Sequence, residues 1–255
     1  MQLHTKSPQT YGRESRGGRE PSAPSPLTYS RGLAFLVLCV LIGLGATRPL
    51  DWWSQRLLTP LSFSLLDLTG FLLTLLGEVH ITGAVAVVLA LRGWQRRRER
   101  GLGPLLLFAG VGVEVLLKYV LPHPGPPAEF THHSLPPFLR LSAPLLLHIS
   151  TPYSFPSGHV LRSTFLVTLT SVRRPRWRTL GWLVVVAMAV TRVYCNEHWV
   201  SDVVGGALLG WTLAGAATAL EYKPKRKGER SRGGARRRKR VDEPIAMIQN
   251  QPLSA

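Results

Sequence analysis

The chain is poor in cysteine and poor in acid. Its 255 residues include two cysteines, and 14 Asp and Glu stand against 31 Lys and Arg. Cys39 sits in an apolar run and Cys195 in a polar stretch, so neither a disulfide framework nor cysteine-based zinc or redox chemistry is indicated. There is no carboxylate cluster suited to a divalent cation, and no internal repeat. No metal and no cofactor is therefore expected. No Asn-x-Ser/Thr sequon occurs, which fits a bacterial source. The first apolar run begins only near Gly32 and ends at Arg48-Pro49 without a small-residue cleavage site, which argues against a cleaved signal peptide.

What the chain does have is apolar length and basic charge. Apolar residues make up 45% of it, and the formal net charge is +17. Such a charge can signal nucleic acid, but here the basic residues collect in short blocks between apolar runs. That is the pattern of a membrane protein obeying the positive-inside rule, and no nucleic-acid partner is expected. The expected fold is all-α: six transmembrane helices plus an interfacial helix.

Residues 1–30, rich in Ser, Pro, Gly and Arg, read as a disordered tail. Residues 31–222 read as the membrane domain and 223–255 as a basic tail. The spans expected are 32–47, Glu78 to Trp94, Leu102 to Leu121, Ser157 to just before Arg173, Leu180 to Tyr194, and His198 to Leu220. Asp51-Trp52-Trp53 reads as an aromatic interface anchor. The run from Leu61 to Leu76 is short for a crossing and carries Asp67, Thr69 and Gly70, so an interfacial or re-entrant helix is expected.

Charge sets the expected sidedness. With six spans, the N-terminal tail with Arg31, the 92–100 block, the 173–178 block and the C-terminal tail share one face and hold 25 of the 31 basic residues. The other face has Arg48, Arg56 and Arg140. Both termini are therefore expected in the cytoplasm of an inner-membrane protein, with the basic tail near anionic headgroups.

Three segments then meet on the outer side. Thr191 to Asp202 holds Arg192, His198 and Asp202 between two apolar runs, where ionisable groups are costly and suggest function. His198 and Asp202 are four apart, on one helix face, and a carboxylate behind an imidazole suits a His nucleophile or base. Arg192 offers a planar fork of donors for phosphate. Pro156-Ser157-Gly158-His159 leads straight into an apolar helix, whose free N–H groups and dipole favour an anion. His159 sits where it can protonate a leaving group. The third segment carries Lys118. Each segment alone also fits a capped helix end.

Together they resemble the type 2 phosphatidic acid phosphatase superfamily, which includes membrane lipid phosphatases and the vanadium haloperoxidases. The family pattern is Lys-x6-Arg-Pro, then Pro-Ser-Gly-His, then Ser-Arg-x5-His-x3-Asp. Lys118 and Pro126 match the first motif, residues 156–159 the second, and Arg192, His198 and Asp202 the third. Thr191 replaces the family Ser and keeps a hydroxyl. Gly125 stands in place of the family Arg, which removes a phosphate ligand.

The resemblance implies a metal-independent phosphatase in which His198 attacks phosphorus and forms a phosphohistidine, oriented by Asp202. His159 would protonate the leaving group and then activate water. Lys118, Arg192, Ser157 and the Gly158 N–H would hold the phosphoryl oxygens. The implied substrates are lipid phosphates or diphosphates at the outer face: undecaprenyl diphosphate, phosphatidylglycerophosphate or phosphatidic acid. The alternatives are a weakened relative that only binds lipid phosphate, suggested by Gly125, and a transporter lined by Glu114, Lys118 and Arg162. His132 and His133 read as a loop pair without partner ligands, not a metal site. Glu114 and Arg162 are both one turn deeper than the site, and an ion pair between them is the favoured reading. The competing one has Arg162 supply the phosphate contact that Gly125 cannot.

Overall fold

Eight α-helices carry the chain in a computed structural model that describes residues 26–61, 64–96, 99–130 and 151–221. They are α1 Pro26–Gly43, α2 Arg48–Leu58, α3 Ser64–Gly77, α4 Val79–Arg96, α5 Glu99–Val120, α6 Gly158–Arg173, α7 Arg178–Tyr194 and α8 Val200–Glu221. No strand occurs among the described residues. All of them belong to one compact unit, Ser22–Lys223. Most of the N-terminal tail, the basic tail, and His132, His133, Arg140 and His148 lie outside the described residues.

Helix α1 starts at Pro26, inside the segment expected to be a tail. Proline suits a first helical turn, because its missing N–H would be unpaired there anyway. The helix docks on α8 through Phe35 and Ile42 and exposes Leu33, Leu36 and Val40, as a lipid-facing helix does.

Helix α6 is the centre of the bundle and contributes to three apolar clusters. Val160 packs with Leu73, Met188, Val193 and Val203. Leu161 packs with Phe35, Phe155 and Leu209, and Phe165 with Ala86, Leu107 and Ala214. Its closest neighbour is α8, which meets it through glycines four apart. A Cβ on Gly206 would lie 2.4 Å from the Ser157 carbonyl oxygen, and one on Gly210 2.4 Å from that of Leu161. The backbones touch there, as small-xxx-small interfaces allow.

By length and composition α1, Arg100–Val120 of α5, and α8 can each cross a membrane. Helices α3 and α4 pass the same test together, bent by 46° at Glu78, as one broken span or a re-entrant loop. Helix α6 has 16 residues and α7 has 17, at or just below the lower end of the ~17–25 residues of crossing helices. Three helices, or four spans with the bent pair, therefore qualify by length and composition among the described residues, against the six spans expected from the sequence.

The run expected to be an interfacial or re-entrant helix packs one face, that of Gly70, Leu73 and Gly77, into the bundle and leaves Leu68, Leu72 and Leu76 exposed; the re-entrant alternative agrees with the bend at Glu78. A Cβ on Gly70 would lie 2.9 Å from Cys195 Sγ, and one on Gly77 2.6 Å from His159 Cδ2. Leu73, between these glycines, is in the core. Small residues on one face let α3 press against α7 and against the start of α6, which positions the site.

Candidate active site

Tyr194 ends α7, and the turn that follows folds back on Arg192. Asn196 adopts φ +55, a left-handed conformation that Asn tolerates better than most residues. The N–H groups of Glu197 and His198 both donate to the Arg192 carbonyl, at 3.1 and 3.2 Å. This turn brings His198 to the start of α8. Its Nδ1 lies 3.2 Å from Asp202 Oδ2, which also accepts the Trp199 N–H at 3.0 Å. Asp202 is fully buried. With Nδ1 committed to the carboxylate, Nε2 is the nitrogen left for chemistry.

The Pro-Ser-Gly-His segment meets this pair directly. The Ser157 N–H donates to the Asp202 carbonyl at 3.0 Å, tying one motif to the last residue of the other. Gly158 has no room for a side chain, because a Cβ there would lie 2.0 Å from Glu114 Oε1. Glu114 is buried beneath the start of α6 and bridges two cations, Lys118 Nζ at 2.9 Å and Arg162 Nη1 at 2.9 Å. Arg162 Nε donates to the Gly77 carbonyl at 3.1 Å. The ion pair expected of Glu114 and Arg162 is present. With Nη1 and Nε both engaged below the site, Arg162 is a poor substitute for an arginine at 125.

Arg192 is completely buried. Its Nη1 pairs with Glu197, and its Nη2 donates to the Thr74 hydroxyl and, at 3.3 Å, to the Gly70 carbonyl. His159 Nε2 lies 3.7 Å from Glu78 Oε1 at the α3–α4 break. Ser157 Oγ, His159 Nε2, Arg192 Nε and Asp202 Oδ1 are among the buried side-chain atoms that lack a hydrogen-bond partner among the described residues; Thr47 Oγ1, Thr164 Oγ1 and Thr168 Oγ1, outside the motifs, are others. Buried polar atoms are seldom left so, and the four on motif residues lie together at the site.

Several residues that hold the site in place are not motif residues. Asp51 is buried, and its two oxygens accept from Ser201, the backbone N–H at 2.9 Å and the hydroxyl at 2.8 Å. Burial pushes the Asp51 carboxyl above the usual carboxylate range, against the Ser201 donors that hold it down. His123 Nε2 stands 3.1 Å from Ser201 Oγ and 3.4 Å from Asp202 Oδ1. Since the Ser201 hydroxyl donates to Asp51, its oxygen accepts from His123, which makes Nε2 the protonated nitrogen. Gln55 Nε2 donates to the carbonyls of Val193 and His198, at 3.2 and 3.3 Å.

Helix α2 is therefore a clamp on the α7–α8 turn, and not only an interface anchor. Trp53 is exposed as an anchor would be, while Trp52 packs on Phe130 and Trp199 with centroids 5.3 and 5.9 Å apart. The only signal of this in the sequence is the acid beside two tryptophans. Gly125 borders a cavity of about 280 Å³ together with Arg48, Asp51, Trp52, His123 and Trp199. A Cβ there would meet only Ser154 Cβ, at 3.8 Å. An arginine is sterically admissible at 125, so its loss is a matter of chemistry and not of packing.

Comparison with known proteins matches residues 101–226 to the PAP2 superfamily. The chain carries a PAP2-superfamily domain. That PAP2 region opens at α5 and includes Lys118, Ser157, Gly158, His159, Arg192, His198 and Asp202. It leaves out α1 to α4, and with them Asp51, Gln55, Thr74 and Glu78. An undecaprenyl-diphosphatase from Sulfolobus acidocaldarius is 33% identical over 115 residues, which cover 44% of this chain. The match spans about half of that relative, 55% of its length. The crystal structure of a transmembrane PAP2-type phosphatidylglycerolphosphate phosphatase from Bacillus subtilis superposes with a TM-score of 0.62 at 22% identity. It covers 78% of this chain and 98% of that one, and it shows that the fold is shared. With this fold and its apolar helices, the chain is a multi-pass membrane protein.

Proposed function

We propose that this protein is a membrane-embedded phosphatase that hydrolyses lipid phosphates or diphosphates through a phosphohistidine. The observation that carries the proposal is the contact between the two motifs: Asp202 orients His198 through its side chain and holds Ser157 through its carbonyl. One carboxylate residue thus couples the nucleophile to the anion-binding end of α6.

His198 Nε2 attacks phosphorus as the P–O bond to the leaving group breaks, and Asp202 stabilises the imidazolium that develops. His159 gives its proton to the departing oxygen. In the second half, water attacks the phosphohistidine, the N–P bond breaks, and His159 takes the water's proton. Lys118, Arg192, the Ser157 hydroxyl and the Gly158 N–H hold the phosphoryl oxygens and oppose the charge they gain in the transition state. The unpartnered Ser157 Oγ and Arg192 Nε fit that task. No metal is needed for this sequence of steps, because cationic side chains carry the charge.

A substrate anchored in the bilayer suits a site built at helix ends. Undecaprenyl diphosphate comes first, on the strength of the 33% identical relative, with phosphatidylglycerophosphate and phosphatidic acid behind it. The topology that accompanies this reading has six spans: α1, the α3–α4 pair, α5, α6, α7 and α8. Both tails then face the cytoplasm of an inner-membrane protein, and the site faces outward. The membrane domain runs from the start of α1 to about residue 222, with the basic tail 223–255 near anionic headgroups.

The second reading, a relative that binds lipid phosphate without turning it over, is favoured by Gly125 and by the carboxylates already seated on Lys118 and Arg192. Phosphate release by the purified protein from the three lipids separates the two. We expect release that His198→Ala abolishes. Binding of undecaprenyl diphosphate without release, equal in both proteins, would establish the second reading instead.

A further inference from the structure

A larger cavity lies at the other end of the bundle. Helix α6 runs sixteen residues from Gly158 at the histidines to Arg173, roughly 24 Å at 1.5 Å per residue. Around Arg173 a cavity of about 480 Å³ opens between the ends of α4, α5, α6 and α8. Five guanidinium groups line it: Arg92, Arg96, Arg100, Arg173 and Arg174. One carboxylate does, Glu221, which is buried and paired with Arg173. We propose that this cavity is a second, non-catalytic anion site that binds the phosphate of an anionic lipid headgroup from the leaflet facing it.

Basic blocks at span ends are ordinary, and a scattered block is simply solvated. This one differs in being concave and built. Arg173 is held in place through its Nη2, which donates to Glu221 and, at 3.3 Å, to the Arg100 carbonyl. Glu221 in turn fills the space beside Gly103, where a Cβ would lie 2.4 Å from its Oε1. Glu221 neutralises Arg173, and Arg92, Arg96 and Arg174 bring further positive charge to the same space. Like charges that converge on one space repel each other, and a phosphate is the counterion whose geometry suits guanidinium forks.

The cavity wall also argues for a lipid over a soluble anion. Leu89, Val172 and Trp177 line it beside the arginines. Leu91 and Trp94, neighbours in sequence of the lining residues Arg92 and Gly93, are exposed on α4 as apolar surface for the acyl chains of a lipid whose headgroup sits among the arginines. Basic pockets between helix ends are where anionic headgroups are recognised in membrane proteins.

The test uses the full-length protein in a non-ionic detergent. Thermal melting and native mass spectrometry are compared with added phosphatidylglycerol, with phosphatidylcholine, and with inorganic phosphate alone. Phosphatidylglycerol is a phosphodiester, which this class of phosphatase would not consume. Ligand that binds only the folded state raises the melting temperature in proportion to its saturation. We expect phosphatidylglycerol to raise it above the phosphatidylcholine value and to remain bound in the gas phase.

The triple variant Arg92→Ala, Arg96→Ala, Arg174→Ala should lose that difference, and the corresponding triple Lys variant should keep part of it. All three positions are exposed and far from the histidines, so phosphate release should continue in both. The difference between lipids is read within each variant, so a lower baseline melting temperature does not obscure it. A full phosphatidylglycerol shift in the triple Ala variant would overturn the site, since the charge would then act from the tail or the catalytic end. An equal shift with inorganic phosphate would overturn the lipid assignment.

Discussion

The two ends of this bundle treat positive charge in opposite ways. At the histidine end the buried cations sit against acids: Lys118 and Arg162 share Glu114, Arg192 has Glu197, and His159 faces Glu78. At the other end arginines gather around one cavity, where Glu221 pairs with Arg173. The first arrangement suits buried groups, because an unpaired charge out of water costs several kcal/mol. The second is tolerated near water and headgroups, where charge is screened. Reading charge by block count therefore finds the exposed end of a membrane protein and overlooks the buried one. Chemistry is expected at the buried end, where geometry and not net charge recognises phosphate.

The strongest way to break this comparison is at His198, the proposed nucleophile. His198→Ala should reduce phosphate release by at least about a thousandfold, the scale on which loss of a nucleophile is felt. Asp202→Asn should keep a measurable remnant, since Asn still holds the ring but opposes its positive charge poorly. Turnover by His198→Ala near that of the unaltered protein would remove the histidine end from the chemistry. Single-turnover assays with undecaprenyl diphosphate read both variants.

Sidedness is an all-or-none test. With Cys39 and Cys195 replaced, a cysteine introduced in the 122–156 loop should react with an impermeant thiol reagent in intact cells. One introduced at 96–100 should react only after the cells are broken. The reverse pattern would place both ends on the wrong faces.

Glu114→Gln should lower the melting temperature, because it leaves Lys118 and Arg162 without their shared carboxylate at a buried position. Breaking such a pair from one side typically costs about 3 to 5 kcal/mol. Arg162→Ala should destabilise as well, and Gly125→Arg should not restore it. If Arg162→Ala instead melts normally, loses turnover and is rescued by Gly125→Arg, then Arg162 is a phosphate ligand and the histidine end has a cation to spare.

The smallest effect is expected at Glu197. Its side chain is half exposed, so its pair with Arg192 is screened and is worth no more than about 1 kcal/mol. Glu197→Gln should strengthen inhibition by inorganic phosphate by at most about fivefold, as the competing carboxylate is removed. Weaker phosphate binding would mean that Glu197 positions Arg192 and does not compete for it.

Much of the site is legible in local spacing. His198 and Asp202 are one helical turn apart and do meet, and Pro156 to His159 do open a helix, because both relations lie within a few residues. The pairing of Glu114 with Arg162 follows from energetics, as two opposite charges at one depth; that Lys118 shares the same carboxylate appears only in the structure. The supporting contacts are not legible in this way. Gln55 reaches the His198 carbonyl across 143 residues, and Arg192 reaches Thr74 across 118. A Gln in a short amphipathic helix or a Thr in a Leu-rich one carries no mark of such a partner.

What the sequence determined by itself was the all-helical class, most of the long apolar helices, the motifs at their ends and the segregation of basic charge, though not helix α2. Each follows from hydropathy or spacing over a turn or two. Tertiary structure alone decided which face of α3 packs against the bundle, because its glycines at 70 and 77 matter only against Cys195 and His159. It also decided that α2 clamps the α7–α8 turn through Asp51 and Gln55. A buried polar group takes whichever donors and acceptors the packed backbones bring near it, and that choice exists only once the helices have met.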